Sequence, residues 1–333
     1  MGLKELTIEE FEAALQEYDD AVDQTGALGT DLSPEIDVAC SSSDWLLPSM
    51  AVWAVDREPW IRRSDAGFIV LTRSDDADGA TVLLPPDSMW GFASPIIGGQ
   101  PELLVDQLGE ALLEDPSWDL VLLTGLAPDG LVETAVRSRL QDRFTLYAGP
   151  TMTRCRIDIP SFRDHETSKQ RRERRRIANR CAEQGVDIID PLADQDPTLQ
   201  DIFARIVDVE ARSWKGLEGS GIIEPTLQGF YRRMLDHVGI DRLRVLFARV
   251  DGEDVGYILG HMRGQEYRGL QISYAASHRH LSLGSLLQSA EIERSERTGI
   301  RSYDLGMDMA YKQRWSTHGF TTRTTAIAQG RRN

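Results

Sequence analysis

The sequence predicts a protein of the α/β class, in the α+β sense, with two similar domains that each contain a mixed, largely antiparallel sheet flanked by helices. The first reason is length, because 333 residues exceed one ordinary domain and suit two domains of roughly 150 residues each. The second is that both halves show the same order of elements: helices, a strand meander, then a helix, a strand, a helix and a strand. The third is the alternation of apolar residues between positions 243 and 275, which is typical of antiparallel strands with one buried face.

The N-terminal half opens with a helix, because Thr7 and Glu10 have the spacing of a capping box and apolar residues follow on one face. Residues 20–44 are polar and predict an irregular segment, and the serines before Asp44 predict the cap of another helix. Runs of strand-forming residues come next, separated by turns rich in Asp and Gly. The predicted strands lie at 59–63, 67–72, 81–84, 120–124 and 144–148, and the predicted helices at about 101–114 and 129–140.

The C-terminal half repeats this order with clearer turns, such as Asp251-Gly252 and Arg263-Gly264 between consecutive strands. The predicted helices lie at about 166–184, 198–214, 225–238, 283–298 and 308–315. The predicted strands lie at 243–250, 254–262, 266–275, 302–305 and 321–328. We expect the domain boundary after residue 155, so that the two domains cover residues 1–155 and 156–333.

Composition and charge narrow the classes of function. The chain carries 53 acidic and 37 basic residues, and its net charge of −16 repels nucleic acids and anionic membranes as general partners. Its cysteines, Cys40, Cys155 and Cys181, are widely spaced and belong to no Cys/His cluster, so neither a disulfide framework nor a metal site is predicted. No apolar run reaches about 18 residues and no basic leader begins the chain, so we expect a cytoplasmic protein without a membrane span.

A turn rich in small residues precedes the helix predicted at 283–298. Backbone N–H groups at a helix N-terminus attract anions, and the small side chains of Ser282, Gly284 and Ser285 allow a phosphate to approach closely. This chemistry predicts an anion-binding site. An ordinary connection between a strand and a helix is an equal alternative on these residues alone.

Arg279-x-x-Ser282-x-Gly284 in this turn resembles the pyrophosphate-binding turn of GNAT acyltransferases, Arg/Gln-x-x-Gly-x-Gly/Ala. Ser282 departs from the glycine of most members, but the Ser-x-Gly form is similar to the CelD-like branch, which is related to the Fem-type peptidyltransferases. Other parts of the branch pattern occur in order over about 160–316, whereas the N-terminal half resembles the family only in its order of elements. These parts are Ser168-Lys169-x-x-Arg172, Arg212-x-Trp214, Val250-Asp251-Gly252-x-x-Val255-Gly256, Tyr303-Asp304-Leu305-Gly306 and Tyr311-Lys312-x-x-Trp315.

The resemblance implies tandem GNAT-like domains. The C-terminal domain would bind the acyl donor, and the N-terminal domain would be degenerate and help to form the wall of the acceptor cleft. The implied donor is acetyl-CoA or another acyl-CoA, used as a co-substrate without a metal. Fem-type relatives instead take an aminoacyl group from charged tRNA, so this donor is an alternative. The residues implied in donor binding are Arg279, Ser282, Leu283, Gly284 and Ser285.

Acyl transfer to an amine requires a general base, because a free alkylamine is almost wholly protonated at neutral pH. The candidate bases are Asp304, Glu210, His261 and His278. The motif around Asp304 places it first, Tyr274 can give a proton to the leaving thiolate, and Lys312 can hold an acceptor or steady the thiolate. The predicted catalytic residues are therefore Asp304, Tyr274 and Lys312. The competing interpretation of each is structural: a helix cap, an ion pair or packing.

A basic run stands out against the acidic background, because residues 163–180 contain eight Lys or Arg and three Asp or Glu, a local net charge of +5. A solvated helix face and contact with a phosphate-bearing ligand, including a charged tRNA end, are equally good explanations. Two tryptophan-containing segments, at 212–215 and 312–315, are expected to face the cleft between the domains, with core packing of the tryptophans as the alternative. The predicted substrate-binding residues are Arg172, Arg212, Trp214, Lys312 and Trp315.

Together these observations predict an N-acyltransferase that moves an acyl group, in the first instance acetyl, from acyl-CoA to the primary amine of a small acceptor such as an amino sugar or amino acid. A Fem-type transferase that uses aminoacyl-tRNA is the alternative. The net charge and the lack of a long heptad-patterned helical hairpin disfavour it. A non-catalytic binding module of the same fold is the third hypothesis.

Overall fold

The structure is a computed structural model that describes residues 2–30, 33–87, 89–194 and 197–329. The α-helices are α1 (Ile8–Ala13), α2 (Leu15–Gly26), α3 (Val38–Ser41), α4 (Ser43–Trp53), α5 (Pro101–Glu114), α6 (Leu131–Leu140), α7 (Phe162–His165), α8 (Ser168–Glu183), α9 (Pro191–Asp194), α10 (Leu199–Ala211), α11 (Trp214–Leu217), α12 (Pro225–Val238), α13 (Leu283–Arg297) and α14 (Ala310–Gln313). Short 3₁₀-helices cover Gly221–Ile223 and Ala276–Leu281. Within the described ranges, no helix has both the length and the apolar character needed to cross a lipid bilayer.

The β-strands are β1 (Lys4–Leu6), β2 (Glu58–Ser64), β3 (Gly67–Asp75), β4 (Thr81–Leu84), β5 (Ile96–Ile97), β6 (Leu120–Leu126), β7 (Phe144–Asp158), β8 (Asp187–Ile189), β9 (Leu243–Val250), β10 (Glu253–Arg263), β11 (Glu266–Tyr274), β12 (Ser302–Met307) and β13 (His318–Gln329).

Contacts between residues divide the chain into two compact units. The first contains the residues up to Thr153 together with those from Phe320 onward, and the second is Arg154–Gly319. The last strand, β13, therefore lies mainly in the first unit, whereas the sequence places it in the C-terminal domain. The reason is its pairing, because β13 runs antiparallel to β6 with Ala328 opposite Leu120.

The first unit has the strand order β1-β2-β3-β4-β6-β13-β7, and β5 pairs with β3. Neighbours from β1 to β4 are antiparallel, whereas β4 and β6 are parallel. Helices α5 and α6 pack their apolar sides on this sheet, with Leu108 and Val136 in one core cluster with Val121. Helix α2 belongs to a separate cluster, in which Tyr18 packs with Phe68 of β3.

The segment 20–44 differs from its prediction as an irregular stretch, because α2 continues to Gly26 and α3 lies within it. Val22 is fully buried, and Asp37 caps α3 by accepting a hydrogen bond from the Cys40 N–H at 3.0 Å. A helix with a single narrow apolar face is easily mistaken for a polar loop, which explains the error. The predicted capping box of Thr7 and Glu10 is present.

The second unit contains the last residues of β7, followed by β12, β11, β10, β9 and β8 across the sheet. The neighbours are antiparallel except β11 and β12. Alternate side chains face different helices: Ile258 and Ile272 pack with α8 and α13, whereas Tyr257 and Gln271 contact α10 and α12. Both units thus contain a mixed, largely antiparallel sheet flanked by helices, and the predicted fold class is confirmed.

Candidate active site

The parallel strands β11 and β12 of the second unit pair only over a short distance. The register joins Glu266 to Ser302, Tyr267 to Tyr303, and Arg268 to Asp304, and ends there. Beyond that point β11 continues to Tyr274 beside β10 alone, while β12 continues to Met307 beside β7. Within the described residues of this unit, the sheet is therefore open between 269–274 and 305–307, a space that we call the β11–β12 opening.

A β-bulge lies on the strand that borders this opening. Leu259 of β10 is opposite Gln271, but the next residue, Gly260, is opposite Gly269, so Leu270 has no counterpart on β10. An extra residue of this kind bends the strand and changes the direction of its backbone groups. The bulge thus lies in the segment 269–274 of β11, which pairs with β10 and no longer with β12.

The turn between β11 and α13 has an unusual backbone. It contains the 3₁₀-helix Ala276–Leu281 and then Ser282, whose φ of 62° and ψ of 40° are left-handed. The left-handed conformation favours glycine, which explains why glycine is the common residue at this position of the family motif. Ser282 is a departure from that motif. No side chain caps the first turn of α13. Its backbone N–H groups are therefore not covered by a capping side chain.

Three arginines surround this segment, which we call the 276–285 turn. Arg180 Nη2 donates to Ser282 Oγ at 3.0 Å and to the Leu281 carbonyl at 3.2 Å. Arg314 Nη2 donates to Ser285 Oγ at 2.6 Å. Arg279 lies within the turn and is exposed. The cations and the helix N-terminus together make this turn suited to a doubly charged anion such as a pyrophosphate.

The other residues predicted to bind the donor occupy different surroundings. Leu283 is fully buried in the core, so only its backbone can meet a ligand. Gly284 faces the half-buried ring of Tyr274, because a Cβ at Gly284 would lie 3.5 Å from Tyr274 Cε1. The structure therefore brings the predicted proton donor Tyr274 against the first turn of α13.

Asp304 is buried between two arginines at the last position where β12 pairs with β11. Its Oδ1 lies 2.6 Å from Arg268 Nη1 and accepts the Gly306 N–H at 2.7 Å, and its Oδ2 lies 3.4 Å from Arg154 Nη1. Burial favours the neutral acid, but the arginines and the N–H outweigh it and hold the pKa of Asp304 well below its usual range. This geometry suits a structural carboxylate, and the role of general base stays a prediction.

Lys312 lies over the end of the same strand. Its Nζ donates to the Met307 carbonyl at 3.2 Å and would lie 3.5 Å from a Cβ at Gly306. Burial, reinforced by Arg268 and opposed by Asp304, lowers the pKa of Lys312 to about 8. Both predicted residues are thus near the end of β12, although within the described chain no direct ion pair joins them.

The three other candidate bases differ in their surroundings. Glu210 is fully buried and pairs with Lys215 at 3.1 Å. His261 is also buried, and desolvation and nearby arginines lower its pKa to about 3, so that it is neutral. His278 is half-buried in the 276–285 turn, with Nδ1 2.9 Å from Ser277 Oγ.

The predicted substrate-binding residues lie on two sides of the sheet. Arg212 bonds to Asp208 at 2.5 Å and to the Asp254 carbonyl at 2.8 Å, and Trp214 is 55% exposed on α11, the helix on the α10–α12 side. Arg172 is exposed on α8 and forms no ion pair with any described residue. Trp315 lies on the α8–α13 side, stacked on Phe162 with ring centroids 6.5 Å apart.

A cavity of about 590 Å³ lies beside the 276–285 turn, between α8, α13 and the residues after α14. This volume is in the range of small-molecule sites. Its lining includes Phe162, Lys169, Gln170, Ser285, Arg314 and Trp315. The cavity therefore combines an aromatic wall with cations and with the carboxylates of Glu166 and Glu173. Sequence analysis did not identify Arg180 and Arg314 as site residues, although Arg180 belongs to the basic run that it singled out.

Among the described residues, no three His, Cys, Asp or Glu side chains are grouped so that they could hold a metal ion. The site instead offers backbone donors, guanidinium groups, a tyrosine and a lysine. Such groups can bind an anion, stabilise an oxyanion and place a proton.

Comparisons with known sequences and structures show a domain and a fold that the chain resembles. A family model described as an acetyltransferase (GNAT) domain matches residues 168–313. No curated protein matches the chain in sequence. FemX is similar in structure over 97% of both chains, with a TM-score of 0.62 and 11% identity. A conserved protein of unknown function from Bacteroides thetaiotaomicron has a TM-score of 0.60 and 13% identity over 98% of this chain and 99% of that chain.

L-PGS from Bacillus licheniformis is similar over 91% of this chain and 94% of that chain, with a TM-score of 0.53 and 11% identity. At identities of 11–13%, these structures show the fold alone. The matched segment 168–313 contains α8, the 276–285 turn and β12, which are the elements of the site. Residues 168–313 therefore match the acetyltransferase (GNAT) domain, and the chain as a whole shares its fold with FemX.

Proposed function

We propose that the protein is an N-acyltransferase that moves an acyl group, in the first instance acetyl, from acyl-CoA to the primary amine of a small acceptor. The observation that carries this proposal is the β11–β12 opening, which ends at an arginine-lined turn on a helix N-terminus. A thioester donor with a pyrophosphate needs this combination: a slot for a narrow chain and an anion site at its end.

In the proposed complex, the pyrophosphate lies on the 276–285 turn, where it meets the backbone of α13 and the guanidinium groups of Arg180, Arg279 and Arg314. The adenosine lies in the neighbouring cavity, against the half-buried ring of Trp315. The pantetheine chain enters the β11–β12 opening, so that the thioester reaches the bulge at Leu270.

The proposed reaction follows from these positions. The acceptor amine loses a proton and attacks the thioester carbon, and backbone N–H groups near the bulge stabilise the oxyanion. The C–S bond then breaks, and the thiolate receives a proton, for which Tyr274 is the proposed donor. Lys312 is proposed to steady the developing thiolate as a cation, and Asp304 to receive the amine proton directly or through water.

We propose that the first unit binds no donor. Its parallel pair, β4 and β6, also separates after two registered positions. The space beyond is filled by the chain itself, because Thr124 Oγ1 donates to the Ala93 carbonyl at 2.7 Å and a Cβ at Gly125 would lie 2.4 Å from the Phe92 carbonyl oxygen. Helix α5 begins with Pro101, which has no N–H to offer an anion.

A Fem-type transferase that uses aminoacyl-tRNA is the second candidate. It is favoured by the exposed cations of α8, because Lys169, Arg172 and Arg175 form no ion pair with any described residue. The similarity to FemX agrees with this candidate at the level of the fold. A non-catalytic module remains the third, and ligand binding without turnover would identify it.

We expect acetyl-CoA to bind with a stoichiometry of one molecule per chain in isothermal titration calorimetry, and to release free thiol when primary amines are supplied. Two bound molecules would show that the first unit also has a donor site. Binding of charged tRNA but not of acetyl-CoA would support the Fem-type candidate. CoA binding without thiol release from any amine would support the non-catalytic module.

Gly284→Val should weaken CoA binding at least about tenfold, or about 1.4 kcal/mol, because its methyl groups extend over the backbone that the pyrophosphate would approach. Gly284→Ala is the matched control: its Cβ would make an ordinary contact of 3.5 Å with Tyr274, so most of the affinity should remain. Calorimetry gives the affinities, and melting curves check the fold. A well-folded Gly284→Val protein with unchanged affinity would contradict the proposed donor site.

Asp304→Asn should lower kcat at least about a hundredfold with donor affinity near normal if Asp304 receives the amine proton. If Asp304 is only the buried partner of Arg268 and Arg154, the change should instead cost about 3–5 kcal/mol of unfolding free energy. Urea denaturation and kcat on the same variant separate the two roles. A destabilised but fully active variant ends the catalytic assignment.

The pH dependence of kcat tests Lys312, whose pKa is lowered to about 8. A cation that steadies the thiolate is lost as the pH rises through this value, so kcat should fall above about pH 8. Lys312→Arg remains charged and should remove this fall. If kcat instead rises through about pH 8, the neutral amine of Lys312 is the base.

A further inference from the structure

A buried polar network lies on the face of β11 that is turned away from α13. Its centre is Glu210, whose side chain is fully buried on α10. Lys215 Nζ lies 3.1 Å from Glu210 Oε1, and the Tyr257 hydroxyl donates to Oε2 at 3.2 Å. The Ile222 N–H donates to Oε1 at 3.4 Å. Several donors thus compensate the cost of burying this carboxylate.

Lys215 connects this network to the strand that borders the β11–β12 opening. Its Nζ lies 3.0 Å from Gln271 Oε1 and 3.5 Å from the Ile272 carbonyl oxygen. Gln271 in turn donates to the Tyr231 hydroxyl at 3.0 Å. Because Gln271 directly follows the bulged residue Leu270, one ammonium group ties the buried carboxylate to the bulged segment.

The loop that carries Lys215, residues 212–221, is held at both ends. At its start, the Arg212 carbonyl accepts the Ala276 N–H at 2.8 Å, which ties the loop to the 276–285 turn. Further on, a Cβ at Gly216 would lie 2.0 Å from the Glu210 carbonyl oxygen, and one at Gly221 would lie 2.2 Å from Glu210 Oε1. The loop is therefore closely fitted around Glu210 while it contacts both parts of the proposed donor site.

We infer that Lys215 is a positioning residue for acyl transfer: it holds the bulged segment of β11 in the geometry in which its backbone meets the thioester oxygen. Lys215 touches no reacting atom and acts through Gln271 and Ile272. The inference rests on the proposed function. A small displacement of an oxyanion donor is expensive, because misplacement by about 1 Å can cost on the order of a hundredfold in rate.

Three variants separate positioning from simple stabilisation. Lys215→Met keeps the side chain unbranched, makes it one atom shorter and removes its charge, and should lower kcat at least about tenfold with the Kd of CoA nearly unchanged. Lys215→Arg should restore part of the rate, because a cation again reaches Glu210. The double variant Glu210→Gln/Lys215→Met removes both charges of the buried pair. Its melting temperature should therefore be higher than that of Lys215→Met alone, while kcat stays low. If kcat recovers together with the melting temperature, Lys215 is only structural.

Hydrogen exchange gives a readout that needs no turnover. In the protein without substrate, Lys215→Met and the double variant should both speed exchange in residues 269–274 and leave α13 unchanged. Lys4→Met is the control, since that side chain is 70% exposed on β1 in the first unit. Unchanged exchange in 269–274 would overturn the inference. Faster exchange there in a protein that transfers no acyl group would leave the positioning of β11 intact and overturn the proposed function alone.

Discussion

The point at which β11 and β12 stop pairing is the constraint on which the rest of the second unit depends. Arg268 and Asp304 are the last registered pair of these parallel strands, and Arg154 on β7 reaches the same carboxylate. A buried ion cluster adds little net stability, because desolvation offsets its Coulomb energy, but it fixes geometry. Beyond this pair the strands diverge, and residues 269–274 of β11 pair with β10 alone among the described strands. The opening lies beyond this pair, with the bulge at Leu270 on one side and Lys312 over the end of β12 on the other.

The distribution of charge agrees with a site for a small anion. The chain as a whole is strongly acidic, with a net charge of −16, yet Arg180, Arg279 and Arg314 converge on one turn. Arg180 and Arg314 donate to neutral serine hydroxyls, and the carboxylate of Glu173 on α8 lies near enough to interact with both cations. A positive turn on a negative body guides a compact anion to one place and repels extended polyanions elsewhere.

Much of the fold could be predicted from the sequence, because helix caps, Asp-Gly turns and alternating strands are local signals, as at Thr7 and between β9 and β10. The 276–285 turn could be found for the same reason. Contacts between distant residues could not: Arg180 reaches Ser282 across 102 positions, and Arg314 reaches Ser285 across 29. The burial of Asp304 could not be predicted from the sequence either, because no local pattern shows that it lies between two arginines. Its catalytic role, like those of Tyr274 and Lys312, stays a prediction.

The place of β13 has a consequence for biosynthesis. Because β13 lies between β6 and β7, the first unit is discontinuous in the chain and the second unit is encoded within it. The ribosome makes β6 long before β13, the strand that pairs with one edge of β6. The nascent chain therefore exposes the apolar run Leu120–Leu126 while the second unit is still being made. The second unit is continuous and can fold first. The first unit therefore cannot complete its sheet until β13 has been translated, and early termination near residue 319 leaves β6 without the strand that pairs with this edge.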